Sequence, residues 1–213
     1  MLKAYTWRMK YRETLTPDSF YVSLKGLEQW AETTDKPMDR AVLNSLIAGI
    51  YADYASSNRW QIRQRTNIVD EAPSSDIREW SSNMFVQQVM KYTAGSLQDT
   101  GLLLNTSSRI YIPFVKLGDT SEYYHHDMLH LLGSRGVDAL NNVMGLDKDS
   151  VVQTSVENVY LGMLDAYEKA GMDDGYVLCK LDYLNWKRNS DPTFVPYRAP
   201  QNLIGLTQDP YLA

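Results

Sequence analysis

Histidine gains and loses its proton near neutrality and is the commonest side-chain metal ligand. This chain has three, His125, His126 and His130, all within the stretch EYYHHDMLH at positions 122–130. On a helix, positions four apart share a face. Glu122, His126 and His130 would then offer one carboxylate oxygen and two imidazole nitrogens to a zinc or iron ion. Glu122 and His125 also have the Glu-x-x-His spacing of half a carboxylate di-iron centre. The other half needs a further histidine, and the sequence has none left.

The helical phase of the same stretch weighs against a buried metal shell. At about 100° per residue, Tyr124, Met128, Leu131 and Leu132 fall on one side, and Glu122, His126 and His130 point nearly the opposite way. With the apolar side on the core, the candidate ligands are expected to face solvent or a neighbouring subunit. A polar helix face is the simpler account, and a metal site, if built, is expected at a subunit boundary. The other reactive side chains have equally plain explanations. Cys179 lies among Tyr176, Val177, Leu178 and Leu181 and is expected as a small buried hydrophobe. Arg59, Arg63 and Arg65, with Trp60 between them, form a basic-aromatic patch expected to be solvated or paired. No phosphate-binding loop or nucleophile elbow is present.

The five residues His126-Asp127-Met128-Leu129-His130 resemble the HDxxH signature of the Coq4 family, mostly helical proteins of ubiquinone biosynthesis. The resemblance implies a metal held by Glu122, His126, Asp127 and His130, and a metal-binding or lipid-binding protein. The family motif continues to a glutamate, and Asn142 stands at that position here.

Composition narrows the remaining classes. Hydrophobic residues make up 44% and charged residues 22%, enough apolar material to bury a core and far from the composition of disorder. A net charge of −5 supplies no general attraction to phosphate backbones or anionic lipid, so nucleic acid is not indicated. One cysteine cannot form an internal disulfide. The first residues interleave Lys3, Arg8, Lys10 and Arg12 with aromatics and lack a signal-peptide apolar run, so an intracellular folding environment is expected. No stretch is apolar for long enough to span a membrane. Fifteen tyrosines and five tryptophans favour partly wet contacts between subunits, although a core can also absorb them.

The elements that must position these residues read as mainly helical: an irregular bundle of four to five helices, an N-terminal β-ribbon over 1–34 and an extended C-terminal arm over 191–213. Tyr5, Trp7, Met9 and Tyr11 alternate with polar residues, and the segment from Phe20 to Trp30 is the expected returning strand. Helices are expected from Pro37 to Ser57, from Asp76 to Gly95, and from about Asp119 through the histidine motif, interrupted at Gly133 and Gly136. A fourth carries Val152, Val156, Tyr160, Met163 and Tyr167 on one face and ends at Gly171. The segment from Gly175 to Arg188 fits helix or strand. Proline at 192, 196, 200 and 210 forbids helix in the arm, and its Phe194, Tyr197, Leu203, Ile204, Leu206 and Tyr211 are too apolar for water, which marks them as interface residues.

The expected function is a non-enzymatic assembly subunit, without cofactor, of a symmetric multi-subunit particle. Its partners would be copies of itself in a ring or shell and neighbouring proteins of that particle. The narrowest form is a virion component assembled in the host cytoplasm, such as a tailed-phage head-to-tail connector.

Overall fold

A computed structural model describes residues 4, 5, 8, 19–65, 76–111, 127–191, 193 and 194. The α-helices are α1 (Ser19–Thr33), α2 (Pro37–Ser57), α3 (Arg59–Arg63), α4 (Ser82–Ser96), α5 (Thr100–Leu104), α6 (Met128–Asn142), α7 (Asp149–Ala170) and α8 (Asp173–Ser190). Short 3-10 turns lie at Ile77–Glu79 and Ser108–Tyr111. The described residues contain no strand; their extended pairing is an isolated antiparallel bridge between Ser107 and Asp127.

Helix α2 is the centre of the bundle and packs against α1, α4 and α6. Pro37 opens it at a position where a missing N–H costs nothing. Of the apolar stripe that Leu43, Leu46, Ile47, Ile50 and Tyr54 form at helical spacing, Leu43 and Ile47 are fully buried, but so are Ala48, Tyr51, Ala52 and Ala55. Those alanines let neighbouring helices approach on a second side, which a stripe of large residues alone does not foretell. Helix α6 joins this group to an outer pair, with α7 packed on α6 and α8 packed on α7.

Several elements differ from expectation. The segment expected as the returning strand of the ribbon is helix α1, because Leu24, Leu27 and Ala31 are buried at helical spacing and outweigh the loose alternation. Ala4, Tyr5 and Arg8 are also helical, and most of the other expected strand lies outside the described residues. At Asp76 the side chain caps only the 3-10 turn, accepting from Arg78 N–H at 2.9 Å. Trp80 is then extended, and α4 starts at Ser82. Arg59–Arg63, whose mixed polar and apolar residues read from sequence as an irregular or strand-like connection, is helical. Gly133 and Gly136 do not interrupt α6; they are its contact points. A Cβ on Gly136 would lie 2.7 Å from Thr93 Cγ2, and one on Gly133 would collide with Met163 Sδ. Helix α7 matches its expected face, with Val152, Val156, Tyr160, Met163 and Tyr167 all buried. It ends at Gly171, whose φ of 65° is the left-handed cap that glycine adopts without strain. Helix α8 settles the ambiguous segment, with Asp173 and Asp174 at its positive end and Lys187 and Arg188 at its negative end.

A polar joint ties α1 to α2 and α4. Glu28 is 8% exposed; its Oε1 accepts from Tyr51 Oη at 2.6 Å and Tyr92 Oη at 2.9 Å. Its Oε2 lies 2.7 Å from Lys25 Nζ. Burial pushes the carboxyl pKa up, but the hydrogen bonds from Lys25, Tyr51 and Tyr92 outweigh it and hold the pKa below its ordinary value. A carboxyl with a depressed folded pKa contributes stability above its unfolded pKa of about 4.3 and loses it as pH falls through the folded value. Urea unfolding measured across pH is expected to show stability falling below about pH 4.3. Glu28→Gln is expected to lower stability at pH 7 by about 1–3 kcal/mol and to flatten part of the acid loss. An unchanged acid limb in Glu28→Gln would show that this carboxylate is not coupled to folding.

Candidate functional site

The start of α6 organises the histidine motif. Asp127 is extended, with φ −90° and ψ 167°, and its Oδ1 accepts from His130 N–H at 2.7 Å. Aspartate at this position satisfies a first-turn N–H that the helix cannot. The same carboxylate, 4% exposed, accepts from Tyr167 Oη on α7, which lies 3.0 Å from Oδ1 and 2.8 Å from Oδ2. Just beyond it, Met128 N–H donates to Thr106 O at 2.9 Å, which fixes α6 to the end of α5. Helix α6 therefore begins at Met128, inside the motif, and not near Asp119.

Two expectations change as a result. With Asp127 extended, the helix that carries His130 does not continue back through Asp127. Glu122, His125 and His126 lie outside the described residues. His130, expected to project away from the core, is 4% exposed. Its Nε2 lies 3.3 Å from Asp182 Oδ2 on α8. The phase argument fails because α6 is enclosed by α2, α4 and α7 and buries a broad arc: Met128, Leu129, His130 and Leu132 in succession, interrupted only at Leu131.

The electrostatics define what these groups can do. Burial, then the charge of Asp127, raises the Tyr167 pKa, so the phenol remains a hydrogen-bond donor at neutral pH. Cys179 is fully buried; burial, then the charge of Asp182, pushes its thiol up to about 12, and its Sγ lies 3.9 Å from Tyr160 O. It is no thiolate nucleophile. His130 and Asp182 are a metal-competent pair, but the described residues contain no group of three His, Cys, Asp or Glu side chains able to hold an ion. Two arginines of the basic-aromatic patch are used structurally, while Trp60 is exposed. Arg59 donates to Asn142 O at 2.7 Å and to Met144 O, placing its charge at the negative end of α6, and Arg65 donates to Trp80 O at 2.8 Å.

Of the expected interface residues, Phe194 is partly buried and its N–H donates to Asp191 O at 3.0 Å. Tyr197, Leu203, Ile204, Leu206 and Tyr211 lie outside the described residues. What the sequence did not reveal is a groove of about 350 Å³ along α4, α6 and α7. Met90, Ala94, Leu97, Leu129 and Val159 line it, together with Thr93. Thr93 Oγ1 is buried and has no hydrogen-bond partner. The groove draws residues from helices far apart in sequence, so no local pattern marks it.

No family model matches the chain, and no curated protein or solved structure matches it significantly. Among the described residues no helix is long and apolar enough to cross a membrane.

The thiol supplies a direct test of this electrostatic description. Alkylation of Cys179 by iodoacetamide at pH 7.5 is expected to be at least about a thousandfold slower in the folded protein than in urea. Comparable rates under both conditions would mean that the thiol is neither buried nor shifted.

Proposed function

We propose that the protein is a non-enzymatic structural subunit of a symmetric multi-subunit particle. The observation that supports this best is the open apolar groove along α4, α6 and α7. An apolar concavity on a folded body suits the docking of another chain. The titratable groups nearest the histidine motif have structural employment. Asp127 caps a helix and holds Tyr167, and Cys179 is held as a buried thiol.

The aromatic count does not carry the proposal. Tyr51, Trp80, Phe85, Tyr92, Tyr160 and Tyr167 are all buried in the core. Tyr51 stacks on Trp80 and Tyr92 with ring centroids 5.3 and 5.9 Å apart. Exposed Val22, Trp60 and Ile110 are better candidates for contact with neighbours. Within this reading the subunit works without a cofactor, and its partners are its own copies in a ring or shell and adjoining proteins of the same particle. The narrower form, a virion component such as a tailed-phage head-to-tail connector, rests on the combination of a helical body with an apolar, proline-punctuated arm.

The Coq4-like alternative has one observation in its favour, the approach of His130 Nε2 to Asp182 Oδ2 across α6 and α8. Multi-angle light scattering with elemental analysis separates the two. The assembly reading predicts a particle of several subunits at micromolar concentration with no stoichiometric metal. A monomer with one zinc or iron ion per chain would favour the alternative, and a metal-free monomer would contradict the assembly reading.

A further inference from the structure

We infer that the groove along α4, α6 and α7 is the seat of the C-terminal segment, residues 195–213, contributed by a neighbouring copy of this chain. The inference rests on the assembly reading and names its contact.

The groove has the chemistry of a peptide seat. Leu129 and Leu140, both nearly or fully buried, make its floor, and Met90, Ala94 and Val159 line its sides. None of its lining residues is charged. Thr100, Ser155 and Asn158 add polar side chains to the lining, and the Thr93 hydroxyl is enclosed beneath it. Gly162 adds an independent sign. It lies inside α7 on the groove wall, and a Cβ there would meet nothing within 4 Å. Glycine weakens a helix interior, so its presence beside open space suits the close approach of another backbone.

The segment matches this lining. Residues 195–213 carry one cation, Arg198, and one anion, Asp209, so their formal charge is zero. Leu203, Ile204, Leu206 and Tyr211 supply apolar anchors. Pro196, Pro200 and Pro210 disfavour helix in the segment.

Topology selects a neighbour as the donor. The end of α8 is tied to the first half of α7: Tyr183 Oη donates to Glu157 Oε1 at 2.7 Å, and Lys187 Nζ lies 2.8 Å from the same oxygen. Tyr160 also faces α8, packing on Tyr183 and Trp186. The groove takes the other side of α7, through Ser155, Asn158, Val159 and Gly162. At about 100° per residue these two sets lie roughly opposite each other, so α7 stands between the exit of a chain's own segment and its own groove. A segment of nineteen residues reaches at most about 65 Å when extended, ample to cross to an adjacent subunit.

The test uses the full-length chain with Gly162→Cys and Ile204→Cys together, the native Cys179 being buried. Mild oxidation of the assembled protein is expected to give interchain disulfides, seen as a reducible ladder on a denaturing gel and lost in either single variant. Exclusively intrachain bridging, or no bridging, would overturn the inference. In parallel, Gly162→Leu fills the groove at a helix-compatible site and is expected to weaken self-association at least tenfold without lowering the protomer's thermal midpoint. Undiminished association in Gly162→Leu would also overturn it. Light scattering of the unmodified protein keeps the two ideas apart. A wild-type monomer refutes the assembly reading, whereas an assembled wild type without a 162–204 bridge refutes only the seat.

Discussion

A buried carboxylate on Asp127 fixes both where α6 starts and how it lies against α7. One oxygen accepts from the His130 backbone N–H, and both face the Tyr167 hydroxyl. A charge held at 4% exposure needs such partners, because an unpaired buried carboxylate would cost far more than a helix turn is worth. The arrangement also explains why Tyr167 is fully buried yet polar-tipped, and why α7 cannot slide along α6. Downstream of this anchor, Gly133 and Gly136 bring α6 close to Met163 and Thr93, so register set at the cap carries through to the packing of α4 and α7.

The same constraint alters the meaning of the HDxxH stretch. Read as continuous helix, it is a stripe of ligands; read with Asp127 extended, it is a cap followed by a first turn. His130 then turns inward toward Asp182 on α8. Polar groups elsewhere follow the same logic: Glu28 holds Tyr51 and Tyr92, and Glu157 holds Tyr183 and Lys187. Each of these carboxylates joins helices. Against that background the buried Thr93 hydroxyl, which has no hydrogen-bond partner, stands out beside the groove along α4, α6 and α7.

Much of the fold was legible because helical spacing of apolar residues is a strong local signal. The α7 face and its Gly171 terminus, the opening of α2 at Pro37, and the burial of Cys179 all follow from it. Other features depend on partners that a sequence does not name. Asp127 looks like an interior helix residue until Tyr167, forty positions later, supplies the reason for it to be a cap. Helix α1 resembled a strand because aromatic and polar residues alternate before it, although Leu24, Leu27 and Ala31 carried the helical period. The groove was illegible for the same reason as the cap: its floor and walls come from α4, α6 and α7, which meet only in the folded chain.

The central claim, that Asp127 is consumed in holding α6 to α7, is tested most directly by a double-mutant cycle. Urea unfolding of the wild type, Asp127→Ala, Tyr167→Phe and the double variant gives the coupling between the two side chains. A coupling of about 1–3 kcal/mol is predicted for a buried charged hydrogen bond. Additivity to within about 0.5 kcal/mol would contradict the account, because the carboxylate would then be free for other chemistry.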